Sequence, residues 1–129
     1  MGVKLALDTN RYVDFARGEP DVVDVLETAE EILLPVIVLA ELRAGFAVGS
    51  RGRANEGSLR RFLQRPGVDV LAPDEQTTHH YAEVFRQLRQ QGTPIPTNDM
   101  WIAALALQHG LVLYARDAHF DHLPQLPRL

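Results

Sequence analysis

The sequence predicts an α/β layer fold around a mainly parallel central sheet flanked by helices. Three observations carry this. Four short apolar segments read as strands, helical stretches with recognisable caps and stops alternate with them, and the chain has 129 residues, the size of one domain. A chain this long buries a core without covalent staples. It has no cysteine, which excludes disulfides, thiolate zinc sites and iron–sulfur clusters.

The elements follow in order. Residues 3–7 are apolar except Lys4 and stop at Asp8-Thr9-Asn10, a buried strand followed by polar turn residues. Asn10 is placed to cap a short helix that Gly18 ends. Pro20 suits a first helical turn, and Val22, Val23, Leu26 and Ala29 recur at helical spacing behind it. Ile32-Leu33-Leu34 is a second strand, closed by Pro35. Val36–Val48 reads as a helix despite its β-branched residues, because Ala40 to Ala44 are good helix formers. Residues 49–58, rich in Gly, Ser and Asn, read as a loop, and 59–64 as a short helix. Val68–Leu71 is a third strand. Pro73-Asp74 opens the longest helix, with Tyr81, Val84, Phe85 and Leu88 on one face and Gly92 as its stop. Pro94-Ile95-Pro96 is an extended linker, and Thr97 or Asn98 caps a helix running to Gly110. Residues 111–114 are the fourth strand.

No stretch approaches the ~20 apolar residues of a membrane span, and Asp8 cuts the N-terminal apolar run too early for a signal peptide. A soluble, cytoplasmic protein is expected. The formal charge of −4, from 17 acids against 13 bases, argues by itself against a nucleic-acid partner.

Ligands of such sheets collect beyond the carboxyl ends of the strands, and four acids merit comparison there. Asp8 follows the first strand and Asp117 the fourth. Asp99 opens a helix, and Glu41 is the only charged residue between Ile32 and Leu42. Each has an ordinary reading: a turn aspartate, a dipole-favoured first-turn acid, a solvent-facing helix residue. A doubly wound sheet brings all four to one edge, where carboxylates raise one another's pKa unless a cation relieves the repulsion. An all-oxygen set suits Mg²⁺ or Mn²⁺. The chemistry it best supports is metal-assisted phosphodiester hydrolysis. Without those four ligands, 13 acids face 13 bases, so the acidity is expected to be concentrated in one pocket.

Leu7-Asp8-Thr9-Asn10, and Leu39-Ala40-Glu41-Leu42 followed by Gly45, resemble the opening of PIN-domain ribonucleases. Residues 94–104, with Asn98-Asp99 at their centre, resemble the third acidic motif of that family, and residues 111–117 with His119-Phe120 its fourth. The resemblance spans essentially the whole chain, and the nearest subgroup is the VapC-type toxins of prokaryotic toxin–antitoxin pairs. It implies a three-layer PIN-like sandwich formed by residues 1–129 and four acids, Asp8, Glu41, Asp99 and Asp117, as catalytic metal ligands. It also implies Mg²⁺ or Mn²⁺ as cofactor, endonucleolytic cleavage of a transfer or ribosomal RNA, a homodimer, and a small VapB-type antitoxin in a heterotetramer or larger assembly. Thr9 matches a hydroxyl beside the first acid and Asn98 an amide beside the third. Ala115 departs from the pattern, since many members carry Thr or Ser there.

Twelve of the 13 bases are arginine, which pairs with phosphate through two parallel hydrogen bonds. Arg51, Arg53, Arg60, Arg61 and Arg65 form a candidate RNA strip, with Arg11 and Arg116 beside two of the acids. The same arginines have an ordinary reading as a solvated face. His79 and His80 read as surface residues, and a zinc role for His119 and His122 is disfavoured. Trp101, Tyr81 and Phe85 read as core or dimer packing. The apolar faces of Val36–Val48 and of 74–91 are candidate grooves for an antitoxin helix. A phosphoacceptor receiver domain is rejected, because it needs a lysine after a late strand and the only lysine is Lys4. A PIN-like module that binds without cutting is favoured only by Ala115.

Overall fold

The structure, a computed structural model, describes residues 2–129. Four strands, β1 (Lys4–Leu7), β2 (Glu31–Pro35), β3 (Val68–Leu71) and β4 (Val112–Tyr114), form one sheet in the order β3-β2-β1-β4. Every pairing is parallel. Six helices accompany it: α1 (Thr9–Ala16), α2 (Pro20–Thr28), α3 (Val36–Val48), α4 (Gly52–Leu63), α5 (Glu75–Gln91) and α6 (Thr97–His109). A 3₁₀ turn, Ala118–His122, follows β4.

Successive strand residues face opposite sides of a sheet. Leu5, Ala6 and Leu7 are all fully buried, so helices cover both faces and the fold has three layers. The edges differ. β3 leaves Val70 exposed at one side. At the other, the C-terminal residues run along β4, with Leu113 N–H donating to Pro127 O at 2.8 Å and Leu129 N–H to Leu113 O at 3.1 Å.

Several expectations fail, among them the caps: Asp8 rather than Asn10 stands at the N-cap of α1, and Pro96 rather than Thr97 or Asn98 at that of α6. Residues 52–58 belong to helix α4 rather than to a loop. Its glycines are accommodated instead of breaking it: a Cβ on Gly52 would lie 2.5 Å from Phe46 O, so glycine is what lets α4 start against the end of α3. Leu59 and Phe62, one turn apart, bury the inner face and anchor the helix to the core. The last turns of α5 and α6 do stop at glycines, Gly92 and Gly110, both left-handed. The α5 start is fixed by a reciprocal cap between Asp74 and Thr77, which Gln108 of α6 extends by donating to Asp74 Oδ1 at 2.9 Å. Tyr81 and Trp101 stack across the same pair of helices with centroids 4.3 Å apart. Phe85, expected on the packed face, is 46% exposed.

The strand order places the functional question. The chain goes from β1 outward to β2 and β3, then returns to add β4 on the other side of β1. The crevice beyond β1 and β4 is therefore the switch point, where loops diverge to opposite faces and leave room for a ligand.

Candidate metal centre

Asp8 stands at that crevice as the residue between β1 and α1, its N–H donating to Tyr114 O at 3.1 Å. It caps α1 by position but its side chain makes no capping bond. The carboxyl is buried, at 5% exposure, and its pKa is pushed up to about 6. Burial is the main cause, with the charges of Asp99, Glu41 and Asp117 adding to it against one backbone N–H from Thr9. Asp99, in the first turn of α6 with a side chain 13% exposed, is pushed up as well, again chiefly by burial and further by Asp117 and Glu41.

Asp117 leaves β4 as the cap of the 3₁₀ turn, its Oδ1 accepting from His119 N–H at 2.9 Å. The His119 ring closes the group. Its Nδ1 lies 2.9 Å from Asp99 Oδ2 and 3.1 Å from Asp117 Oδ1. Glu41, on α3, is held from two sides: Thr9 Oγ1 donates to its Oε1 at 2.6 Å and Asn98 Nδ2 to its Oε2 at 3.4 Å. Strand ends, α3 and the start of α6 thus converge, and the two supporting residues expected beside the acids meet on Glu41.

The donor chemistry fits a hard divalent cation. Among the described residues no arginine or lysine is ion-paired with Asp8, Glu41, Asp99 or Asp117. A buried carboxyl whose neighbours are other carboxyls lacks the partner that buried charge requires. Ligand atoms of Asp99, Asp117 and His119 lie within 4.8 Å of one another, close enough to share one ion.

The PIN-domain family profile matches residues 5–126. The chain belongs to the PIN-domain family. Among relatives of this PIN domain, the plasmid stability protein StbB of Pseudomonas syringae pv. tomato is 35% identical over 122 residues, 88% of this chain and 87% of that one. Ribonuclease VapC1 of Haemophilus influenzae is 37% identical over 112 residues, 83% of this chain and 81% of that one. The crystal structure of VapBC2 from Rickettsia felis bound to a DNA fragment from their promoter contains a chain that superposes with a TM-score of 0.88. That chain is 27% identical, with 98% of each covered. The PIN-domain fold expected from the sequence is the fold observed.

In this PIN domain the candidate RNA arginines are mostly engaged within the protein. Arg60 pairs with Glu56 at 3.3 Å, Arg65 with Glu27 at 3.1 Å, and Arg61 donates to Ser58 at 3.2 Å. Arg11 and Arg116, beside the acids in sequence, both turn to Asp14, at 3.3 and 3.0 Å. Arg51 lines an open cleft of about 810 Å³ between α1, α3 and α4, and Arg53 has no ion pair among the described residues. Ala115 is buried, at 2% exposure, and its carbonyl accepts from Arg128 Nη2 at 2.8 Å.

Sequence reasoning placed His119 beside the fourth acidic motif but disfavoured a zinc role for it, and did not single out Asp14 or Arg128. The sequence offered a signal for His119 alone, its position two residues after Asp117. Asp14 and Arg128 reach the β4 loop from 102 and 11–13 residues away, which no local spacing reveals.

Proposed function

We propose that the protein is a Mg²⁺- or Mn²⁺-dependent endoribonuclease that cuts a transfer or ribosomal RNA and is restrained by a cognate antitoxin. The observation that carries this is the meeting of Asp99, Asp117 and His119 at the sheet's switch point, with Asp8 and Glu41 near enough to act on them electrostatically and, among the described residues, no arginine or lysine paired to the four acids. The name of the Haemophilus relative, a ribonuclease, supports the same reading. Asp8, Asp99 and Asp117 would hold the ion, with Glu41 completing the set. When bound, such an ion supplies an activated water and offsets the charge of the phosphate and the departing oxygen.

The chain's own residues do the rest. Thr9 and Asn98 hold the Glu41 carboxylate in one orientation, which makes it ready to accept a proton from water. His119 keeps the Asp99 and Asp117 carboxyls turned toward each other. Arg51 and Arg53 are free to meet RNA phosphates. Arg11, Arg60, Arg61, Arg65 and Arg116 contribute positive potential while remaining in their internal pairs.

The cleft of about 810 Å³ sets Tyr12, Phe15, Leu42 and Phe46 beside Arg17, Arg51, Asn55 and Ser58, a mixed apolar and polar lining that suits an amphipathic helix of the antitoxin. On this reading the restraint acts at α1, α3 and α4. Exposed Phe85, beside an apolar hollow with Leu88, Ile95 and Met100, offers a face for the homodimer.

The deciding test incubates the purified protein with total transfer and ribosomal RNA plus Mg²⁺ or Mn²⁺. Cleavage is expected, and both EDTA and Asp99→Asn are expected to abolish it. Activity that survives both would sink the four-acid assignment. A protein that binds metal tightly but cuts no RNA is instead a silent binding module.

A further inference from the structure

Asp14 is one of only two buried aspartates among the described residues, and it lies outside the acid cluster. Its carboxylate takes a two-pronged contact from Arg116, Nε to Oδ2 at 3.0 Å and Nη2 to Oδ1 at 3.3 Å. Arg11 Nη1 adds a third contact to Oδ2 at 3.3 Å. Both arginines stand close to metal acids in the sequence. Arg116 adjoins Asp117, and Arg11 lies one turn of α1 beyond Asp8. Arginine side chains are long enough to turn back onto those acids, and a guanidinium there would sit where the cation belongs. The Asp8 charge already reaches Arg116 and helps keep it protonated. Arg11 has a further restraint, since its guanidinium lies over the Tyr114 ring at 4.7 Å from the centroid. Arg116, with a side chain 48% exposed, has only Asp14 as an ion-pair partner among the described residues.

We propose that Asp14 is a positioning residue for the metal site: by clamping Arg116 it keeps guanidinium charge off the acid cluster and reserves the cluster for a divalent cation. This rests on the metal-dependent reading above. It assigns Asp14 no contact with RNA or metal. It predicts that the damage from losing Asp14 is done by Arg116, so that removing Arg116 repairs it.

Mn²⁺ titration of the full chain, read by calorimetry or by the resonance of free Mn²⁺, tests this without measuring cleavage. Asp14→Asn is expected to weaken Mn²⁺ about tenfold, as one competing unit charge near the site would. The double variant Asp14→Asn with Arg116→Gln is expected to return to within about twofold of the unaltered protein. Mn²⁺ binding unchanged by Asp14→Asn overturns the clamp. So does a double variant as weak as the single one, which would make Asp14 merely structural. Unaltered protein that binds no Mn²⁺, or Asp99→Asn that binds it equally well, overturns the metal-site reading itself and the clamp with it. A second measurement needs no variant. The Arg116 Nε–H resonance is expected to stay hydrogen-bonded and slow to exchange with and without Mg²⁺. Its loss in metal-free protein would show Arg116 leaving Asp14, and would overturn the proposal.

Discussion

Asp8 and Asp14 lie six residues apart at the start and near the end of the same short helix, and both are buried, at 5% and 8% exposure. Their acidities move in opposite directions. Asp8 is pushed up to about 6, by burial first and then by three neighbouring acids. Asp14 is held below the usual carboxylate range, chiefly by the hydrogen bond from Arg116. Burial raises both; at Asp8 it is the leading cause and the neighbouring acids add to it, whereas at Asp14 the arginine hydrogen bonds outweigh it. The protein gives its nearby arginines to one aspartate and withholds them from the other. The first becomes a structural joint, and the proposed metal site assigns the second to a cation.

The largest expected break in this contrast is catalytic. Asp8→Asn is expected to lower RNA cleavage by at least ~10³-fold, the order seen when a transition-state stabilising group is lost. Gel assays with a defined RNA read it directly.

Next comes stability, where the same isosteric change is expected to act with opposite sign. In metal-free protein at pH 7, Asp8→Asn removes a charge that burial and repulsion disfavour, and is expected to stabilise by on the order of 2 kcal/mol. Asp14→Asn weakens charge-assisted bonds to two arginines and is expected to destabilise by about 1–2 kcal/mol. Urea unfolding of both variants tests the sign. Two shifts in the same direction would erase the contrast.

The pH dependence sharpens it further. With its native pKa raised to about 6, Asp8 keeps a proton that the unfolded chain releases near pH 3.8. Its contribution to metal-free stability therefore falls as pH rises between those values. Asp14 acts in the reverse sense, and its contribution is lost as pH falls through its lowered native value. Subtracting the Asp8→Asn unfolding curve from that of the unaltered protein isolates the first slope. Mn²⁺ affinity is expected to rise with pH through about 6, as Asp8 gives up its proton to the ion.

The smallest effect tests the geometry of the joint. Arg116→Lys keeps the charge but loses the second prong to Asp14, and is expected to lower the thermal unfolding midpoint only slightly.

Much of this was legible from local pattern. Short apolar runs ended by Asp8, Pro35 and Asp117 marked strands, because a strand buried on both faces must be apolar throughout. Gly92 and Gly110 marked helix ends, because left-handed backbone suits glycine. Residues 52–58 misled, because the three glycines of 49–58 read as a loop while the structure uses Gly52 for close approach of two helices. Phe85, read as core or dimer packing, is not in the core, since helical spacing names a face but not what lies against it.

By itself, then, the sequence determined the alternation of elements, the parallel sheet, and which acids stand at strand and helix ends. Those follow from residue period and turn chemistry, which act over a few positions. Only the tertiary structure decided that His119 joins Asp99 and Asp117, that Thr9 and Asn98 both hold Glu41, and that Asp14 takes Arg116 away from the acids. Those pairings span 20 to 102 residues of chain. They depend on where β1 and β4 come to lie side by side, and no local spacing encodes that.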